Sequence, residues 1–167
     1  MSLYAGIDLS SNAVDVVLLD EDTMDARWVR YRIDDGRKDL KAFARARRLR
    51  DAMPVRSAWK DAGVVAIGVE HGASRNFNSV VAQSRVEGAL LACLPADLPV
   101  YMLMPASWKK LALGHGRATK EDGAVWARHT IHWQDARGFY PQDAVDAACI
   151  ALAAQLKHAA QEGAAAA

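Results

Sequence analysis

Residues 64–70, Val64-Val65-Ala66-Ile67-Gly68-Val69-Glu70, form a near-continuous apolar run that ends on a carboxylate. Such a run marks a central strand covered on both faces, so the chain must place other elements over both sides of a sheet. The neighbouring patterns supply the rest. Residues 3–9 and 13–19 are apolar and β-branched, joined by a short turn at 10–12, and read as two strands. Residues 28–33 alternate Trp, Val, Arg, Tyr, Arg, Ile, the period of a half-exposed strand. Residues 39–53 read as a helix with Leu40, Phe43, Ala44 and Leu49 for its buried side, ended by Pro54. Residues 74–93 read as a second helix with the stripe Phe77, Val80, Val81, Ser84, Gly88 and Leu91. Gly88 weakens that helix, which suggests close packing there. Residues 100–104 give a fifth strand, closed by Pro105, and a loop with Gly114 and Gly116 leads to Thr119, spaced from Asp122 as a helix N-cap. Helices are expected at 120–132 and 142–160, the latter with Pro141 at a permitted first-turn position. The order βββαβαβαα predicts the α/β class: a mixed five-stranded sheet flanked by helices.

At 167 residues the chain suits a single domain, taken as 1–162, with 163–167 expected to be a disordered tail. The net charge of +1 does not announce a nucleic-acid partner, so the distribution matters more than the sum. Arg37, Lys38, Lys41, Arg45, Arg47, Arg48 and Arg50 stand against one acid, Asp39, and the stretch before them is acidic. That basic helix either tracks phosphates or presents a solvated face. Cys93 and Cys149 lack metal-knuckle spacing and read as reduced core thiols. The N-terminus lacks a signal-peptide pattern, and no apolar run is long enough for a membrane helix, so a cytoplasmic protein with no membrane partner is expected.

Four acids sit where a carboxylate is costly. Asp8 lies inside the first strand, in Tyr4-Ala5-Gly6-Ile7-Asp8-Leu9, and Glu70 ends the apolar run. Burying either requires a partner, a proton or a metal. Asp143 and Asp146 open the last helix at a spacing that puts both on one face, about one turn apart. If the four cluster, they repel one another, and divalent cations are the plausible compensation. Magnesium takes oxygen ligands, and two ions about 3.5–4 Å apart can activate water and stabilise the leaving oxygen in phosphoryl transfer. Each acid also has a plainer reading: a strand aspartate can be a hydrogen-bonded structural residue, and aspartates at a helix start complement its dipole. Spacing by itself leaves both readings open.

Taken in order, these motifs resemble the RuvC family of Holliday-junction resolvases over nearly the whole chain. Gly6-Ile7-Asp8 resembles the family's first-strand motif, and Glu70 its glutamate after the fourth strand. Pro141-Gln142-Asp143-Ala144-Val145-Asp146-Ala147 resembles the acidic pair of its final helix. Leu113-Gly114-His115-Gly116-Arg117-Ala118-Thr119-Lys120 resembles its glycine-containing loop leading to a lysine, and Lys109 and Lys120 keep the family's spacing of two basic residues. The resemblance implies an RNase H-like fold, a homodimer, and cleavage of branched DNA with two Mg²⁺ ions per site, Mn²⁺ substituting. Asp8 would bridge the metals, with Glu70, Asp143 and Asp146 completing their shells. Lys120, with Lys109, would stabilise the reacting phosphate, and Lys110 and Arg117 would join them in contacting DNA. The helix at 74–93 is the implied dimer contact, unless its stripe serves its own core. One departure concerns substrate. Ala73 stands where these resolvases can carry an aromatic wedge, and Phe77, one turn on, is either a substitute or a core residue. That leaves room for forks, flaps and other branched DNA beside the four-way junction.

Trp126 and Trp133 are expected to pack, whereas Trp108 is open to stacking or packing. His129 and His132 have a metal-compatible spacing without a third ligand nearby. His71 adjoins Glu70, but strand neighbours face opposite ways. Three rivals stand beside the nuclease. A non-catalytic binder of branched nucleic acid has no need of four intact acids. An ATP-binding protein of the sugar-kinase type also begins Gly-Ile-Asp-Leu, but needs two such domains. An RNA-processing nuclease of the same superfamily differs in substrate rather than chemistry.

Overall fold

The computed structural model describes residues 1–10, 12–34, 42–72, 77–134 and 140–166, with side chains at 42, 43, 77–79 and 82 left aside. Ala73, the Phe77 side chain, and Arg37, Lys38 and Lys41 of the basic stretch therefore lie outside the described residues. In chain order the elements are β1 (Leu3–Leu9), β2 (Ala13–Asp20), β3 (Asp25–Arg32), α1 (Ala42–Ala52), α2 (Arg56–Asp61), β4 (Val64–Glu70), α3 (Phe77–Cys93), β5 (Val100–Leu103), α4 (Pro105–Leu113), α5 (Lys120–Thr130), β6 (His132–Trp133) and α6 (Gln142–Ala165). The sheet runs β5-β4-β1-β2-β3-β6. Strands β1, β2 and β3 form an antiparallel meander, while β4 is parallel to β1, β5 to β4 and β6 to β3.

The mixed sheet flanked by helices is as the sequence predicts, but it has six strands rather than five. The first residue of the sixth, His132, falls at the end of the helix expected at 120–132, and Trp133 lies just beyond it. Ile131 is extended (φ −91°, ψ 129°) and ends α5, after which the His132 N–H donates to the Met24 carbonyl. Two residues are too few for a period of two to show. The short helix α2 likewise leaves little pattern, and α4 begins at Pro105, a residue that opens helices as readily as it closes strands. At the far end, α6 runs through Gly163 to Ala165, into the stretch expected to be a tail.

Alternation along the strands divides the interior into two layers. Tyr4, Val17, Leu19 and Ala66 face α4, α5 and α6, whose contributions include Trp108, Ala127, Val145 and Ile150. Ala5, Ile7, Val14, Val16, Ile67 and Val69 face the other way, toward Leu49 of α1, Trp59 of α2 and Val86 and Leu90 of α3. β4 is thus covered on both faces, as its composition requires. The face expected to bury α3 is corrected. Val80, Ser84, Gly88 and Leu91 are exposed, and a Cβ added at Gly88 would meet nothing within 4 Å. A second stripe, Val86 and Leu90 continuing to Leu94, competes for the core and wins because it carries larger side chains.

One contact sets the depth of α6. Gly6 and Gly68 are register partners on β1 and β4. A Cβ on Gly6 would stand 1.9 Å from the Ala147 carbonyl oxygen, and one on Gly68 would stand 2.8 Å from that of Ile150. The two glycines make a trough into which the alanine-rich turns of α6 sink, with Ala147, Ala148, Ala151 and Ala154 buried. Backbone meets backbone there because side chains are missing on one side and short on the other.

Candidate active site

The trough brings the first turn of α6 down onto the ends of β1 and β4. Period two puts Asp8 on the same face as Tyr4 and Gly6, and Glu70 on the same face as Ala66 and Gly68. Asp143 and Asp146 descend on them from α6. All four side chains belong to half-buried residues.

Their electrostatics identify one cluster. The Asp8 carboxyl is pushed up to about 8, first by burial, then by the negative charges of Glu70, Asp146, Asp143 and Asp15. Burial also raises Glu70, with Asp146 adding to the rise and the Trp108 hydrogen bond and Lys109 opposing it. Asp146 is raised by burial as well, against the Gln142 hydrogen bond and the charges of Lys109 and Lys120. Three of the acids have one oxygen held by a neighbour. Trp108 Nε1 donates to Glu70 Oε2 at 2.9 Å, Gln142 Nε2 donates to Asp146 Oδ1 at 2.8 Å, and Arg30 Nη2 donates to Asp143 Oδ2. Their second oxygens have no donor among the described residues.

This donor set suits a hard divalent cation. It is all oxygen, and it concentrates negative charge where burial resists it. Among the described residues no three His, Cys, Asp or Glu side chains close on one point as they do around an ion. The fit therefore rests on the charge and donor chemistry of the four acids.

Of the basic residues singled out from sequence, two lie at the cluster. Lys109 is half-buried and donates to the Ala118 carbonyl at 2.8 Å, and its charge reaches both Glu70 and Asp146. Lys120 opens α5 behind a capping box in which the Asp122 N–H donates to Thr119 Oγ1 and Thr119 N–H donates to Asp122 Oδ2; its charge reaches Asp146. Lys110 and Arg117 are exposed, and neither is among the charges that shift the acids. His71 turns away toward Glu87, with 3.0 Å between Nδ1 and Oε1, and His132 Nδ1 lies 2.9 Å from the Thr23 carbonyl. Trp133 packs, stacked on Tyr140 with ring centroids 4.0 Å apart. Trp108 is 2 % exposed, which removes it as a base-stacking platform and makes it the donor to Glu70. In the basic helix, Leu49 is buried as expected and Arg45 reaches Asp34 at 3.5 Å.

Sequence reasoning missed Gln142, Asp15, Arg30 and Trp28. The spacing of Gln142 to Asp146 is an i, i+4 pair and was available. Asp15 is visible only through register, which sets Asp8 opposite Asp15 and Asp15 opposite Arg30 across three strands.

No helix among the described residues is long and apolar enough to cross a membrane. No family model matches the sequence, and no curated protein matches it. Solved structures do. The chain is similar to the RuvC structure of Thermus thermophilus, with a TM-score of 0.71 and 22% identity, over 95% of this chain and 96% of that one. It is also similar to T. thermophilus RuvC in complex with a Holliday junction substrate, with a TM-score of 0.70 and 24% identity over 92% of each chain. A large terminase nuclease from the thermophilic phage G20c gives a TM-score of 0.50 and 11% identity, over 90% of this chain and 80% of that one. At these identities the likeness establishes a shared RNase H-like fold.

Proposed function

We propose that this chain is a divalent-metal-dependent endonuclease that cuts branched DNA, with the four-way Holliday junction as its leading substrate and forks and flaps beside it. The observation that carries the reading is the cluster of Asp8, Glu70, Asp143 and Asp146, whose charges and burial together push Asp8 up to about 8. A purely structural aspartate would be neutralised by a nearby donor, whereas Asp8 is surrounded by further acids. The fold shared with a RuvC seen on a Holliday junction supports the choice of substrate.

Two Mg²⁺ or Mn²⁺ ions held by these carboxylates would supply the activated water and the stabilisation of the leaving oxygen that phosphodiester hydrolysis needs. Asp8, at the centre, would serve both ions, and the free oxygens of Glu70, Asp143 and Asp146 would complete the set. The chain's own contribution is to fix the acids. Trp108 holds Glu70 from α4, and Gln142 holds Asp146 from the preceding turn of the same helix. Lys109 and Lys120 place positive charge beside Glu70 and Asp146, where a scissile phosphate would bring its own negative charge. The outward stripe of α3, with apolar Val80 and Leu91 flanking the small Ser84 and Gly88, is a surface on which a second copy can pack closely. A two-fold dimer would carry two such sites, one for each strand of a junction.

The test is a cleavage gel in Mg²⁺, Mn²⁺ and EDTA, comparing a four-way junction, a fork, a flap, linear duplex and an RNA hairpin, with Asp8→Asn alongside. Metal-dependent, paired symmetric cuts in the junction, lost in Asp8→Asn while junction binding persists, are expected. Full activity in Asp8→Asn would remove the metal-site reading. Tight junction binding without cutting would favour a non-catalytic binder.

A further inference from the structure

A line of charged residues crosses the sheet beside the acid cluster. Asp8 on β1 faces Asp15 on β2, and Asp15 faces Arg30 on β3, all on the α6 side. Asp15 is 2 % exposed, an expensive place for a carboxylate unless its oxygens are occupied. They are. Arg30 Nε donates to Oδ1 at 3.0 Å, Arg30 Nη2 donates to Oδ2 at 3.0 Å, and Trp28 Nε1 donates to Oδ1 at 2.7 Å. The guanidinium also lies over the Trp28 ring, 5.8 Å from its centroid. It is therefore gripped from behind by two oxygens and a ring, and its Nη2 is also spent forward on Asp143 Oδ2. A second fixture acts on the same helix start. Tyr140, just before α6, stacks on Trp133 and meets Trp28 edge-on with centroids 6.4 Å apart.

We infer that Arg30, anchored by Asp15 and Trp28, is a positioning residue that holds one oxygen of Asp143 and presets the other as a ligand for a divalent cation. The inference rests on the metal-site reading of the acid cluster. Its logic is that of an outer shell: a ligating carboxylate that is itself hydrogen-bonded loses less freedom when it binds, and losing the outer partner typically weakens metal binding about 10–100-fold. The sign of the effect separates this role from simple charge. Arg30 is a cation close to a cation site, so removing it would tighten metal binding if electrostatics alone were at work. Weaker binding in its absence can come only from lost positioning or from a damaged fold.

The measurement is Mn²⁺ binding to the full chain, followed by the loss of the free-ion electron paramagnetic resonance signal, with circular dichroism as the fold control. Arg30→Gln should bind Mn²⁺ about tenfold more weakly than the unaltered chain. Arg30→Lys, which keeps the charge but not the two-oxygen grip, should fall between. Because Arg30→Gln strands the Asp15 charge, Asp15→Asn with Arg30→Gln serves as the neutral pair and should show the same weakening in a folded protein. In an Asp143→Asn background, Arg30→Gln should change binding less than about twofold, since a residue acting through Asp143 has nothing left to hold. Unchanged or tighter Mn²⁺ binding in Arg30→Gln, recovery in the neutral pair, or an equal loss in both backgrounds would each overturn the inference alone. Absence of Mn²⁺ binding in the unaltered chain would overturn the metal-site reading and this inference together.

Discussion

Replacing Asp8 with Asn should make the metal-free protein more stable, and increasingly so as pH rises. In the folded chain the Asp8 carboxyl titrates near 8 instead of its ordinary 3.8, because ionising it means placing a charge in a half-buried site already facing Glu70, Asp146 and Asp143. Between those two pH values the folded state keeps a proton that the unfolded state has lost, so stability is complete below about 4 and declines until about 8. At about 1.4 kcal/mol per pH unit, the ceiling is about 6 kcal/mol. Water reaching the site and relaxation of the neighbouring carboxylates reduce this to about 2–3 kcal/mol. For a chain of this size that is a gain of roughly 5–10 °C in melting temperature. Asn is close in shape to a protonated Asp, so the two proteins should melt together at pH 4, diverge steadily to about pH 8 and keep a constant gap from there to pH 9. The assay is thermal melting in EDTA across that range, repeated with Mg²⁺, which should raise the unaltered protein and leave Asp8→Asn where it is. A gap that does not change with pH, or a variant less stable than its parent at pH 9, would refute the reasoning.

Two further substitutions probe the framework of the site. Gly6→Ala puts a methyl 1.9 Å from the Ala147 carbonyl, so α6 must lift; the melting temperature should fall by roughly 6 °C or more, for about 3 kcal/mol, and an unchanged melt would rule out the close approach. Trp108→Phe removes the hydrogen bond that lowers the Glu70 carboxyl. Glu70 then holds its proton to higher pH, so the acid limb of the cleavage profile should move upward, and an acid limb that stays in place would refute the role given to Trp108.

What the sequence disclosed, and what it withheld, follows from the range of each interaction. Asp8, Glu70, Asp143 and Asp146 were legible because each breaks a local pattern, a charge in an apolar strand or at a helix start. The capping box at Thr119 and Asp122 was legible because its two partners are three residues apart. Trp108 and Arg30 were not, since their partners lie 38 and 113 residues away and nothing local marks them as donors. The exposed side of α3 was misread because two apolar stripes compete on it, and only the packing against Leu49 and Val69 decides between them. β6 escaped because it is held by two bridge pairs alone, His132 with Asp25 and Trp133 with Ala26.

The trough beneath α6 also has a consequence for redesign. Because the helix meets main chain at the two glycines, the separation between the two halves of the acid cluster is stored in residues that have no chemistry of their own. Exchanging an acid for a longer or shorter one alters reach without disturbing the seat, so under the proposed metal-site reading ion preference should be tunable one acid at a time. The seat admits no such adjustment. If the proposed metal site is correct, a search for variants with altered metal use should find its freedom at positions 8, 70, 143 and 146, and its walls at Gly6 and Gly68.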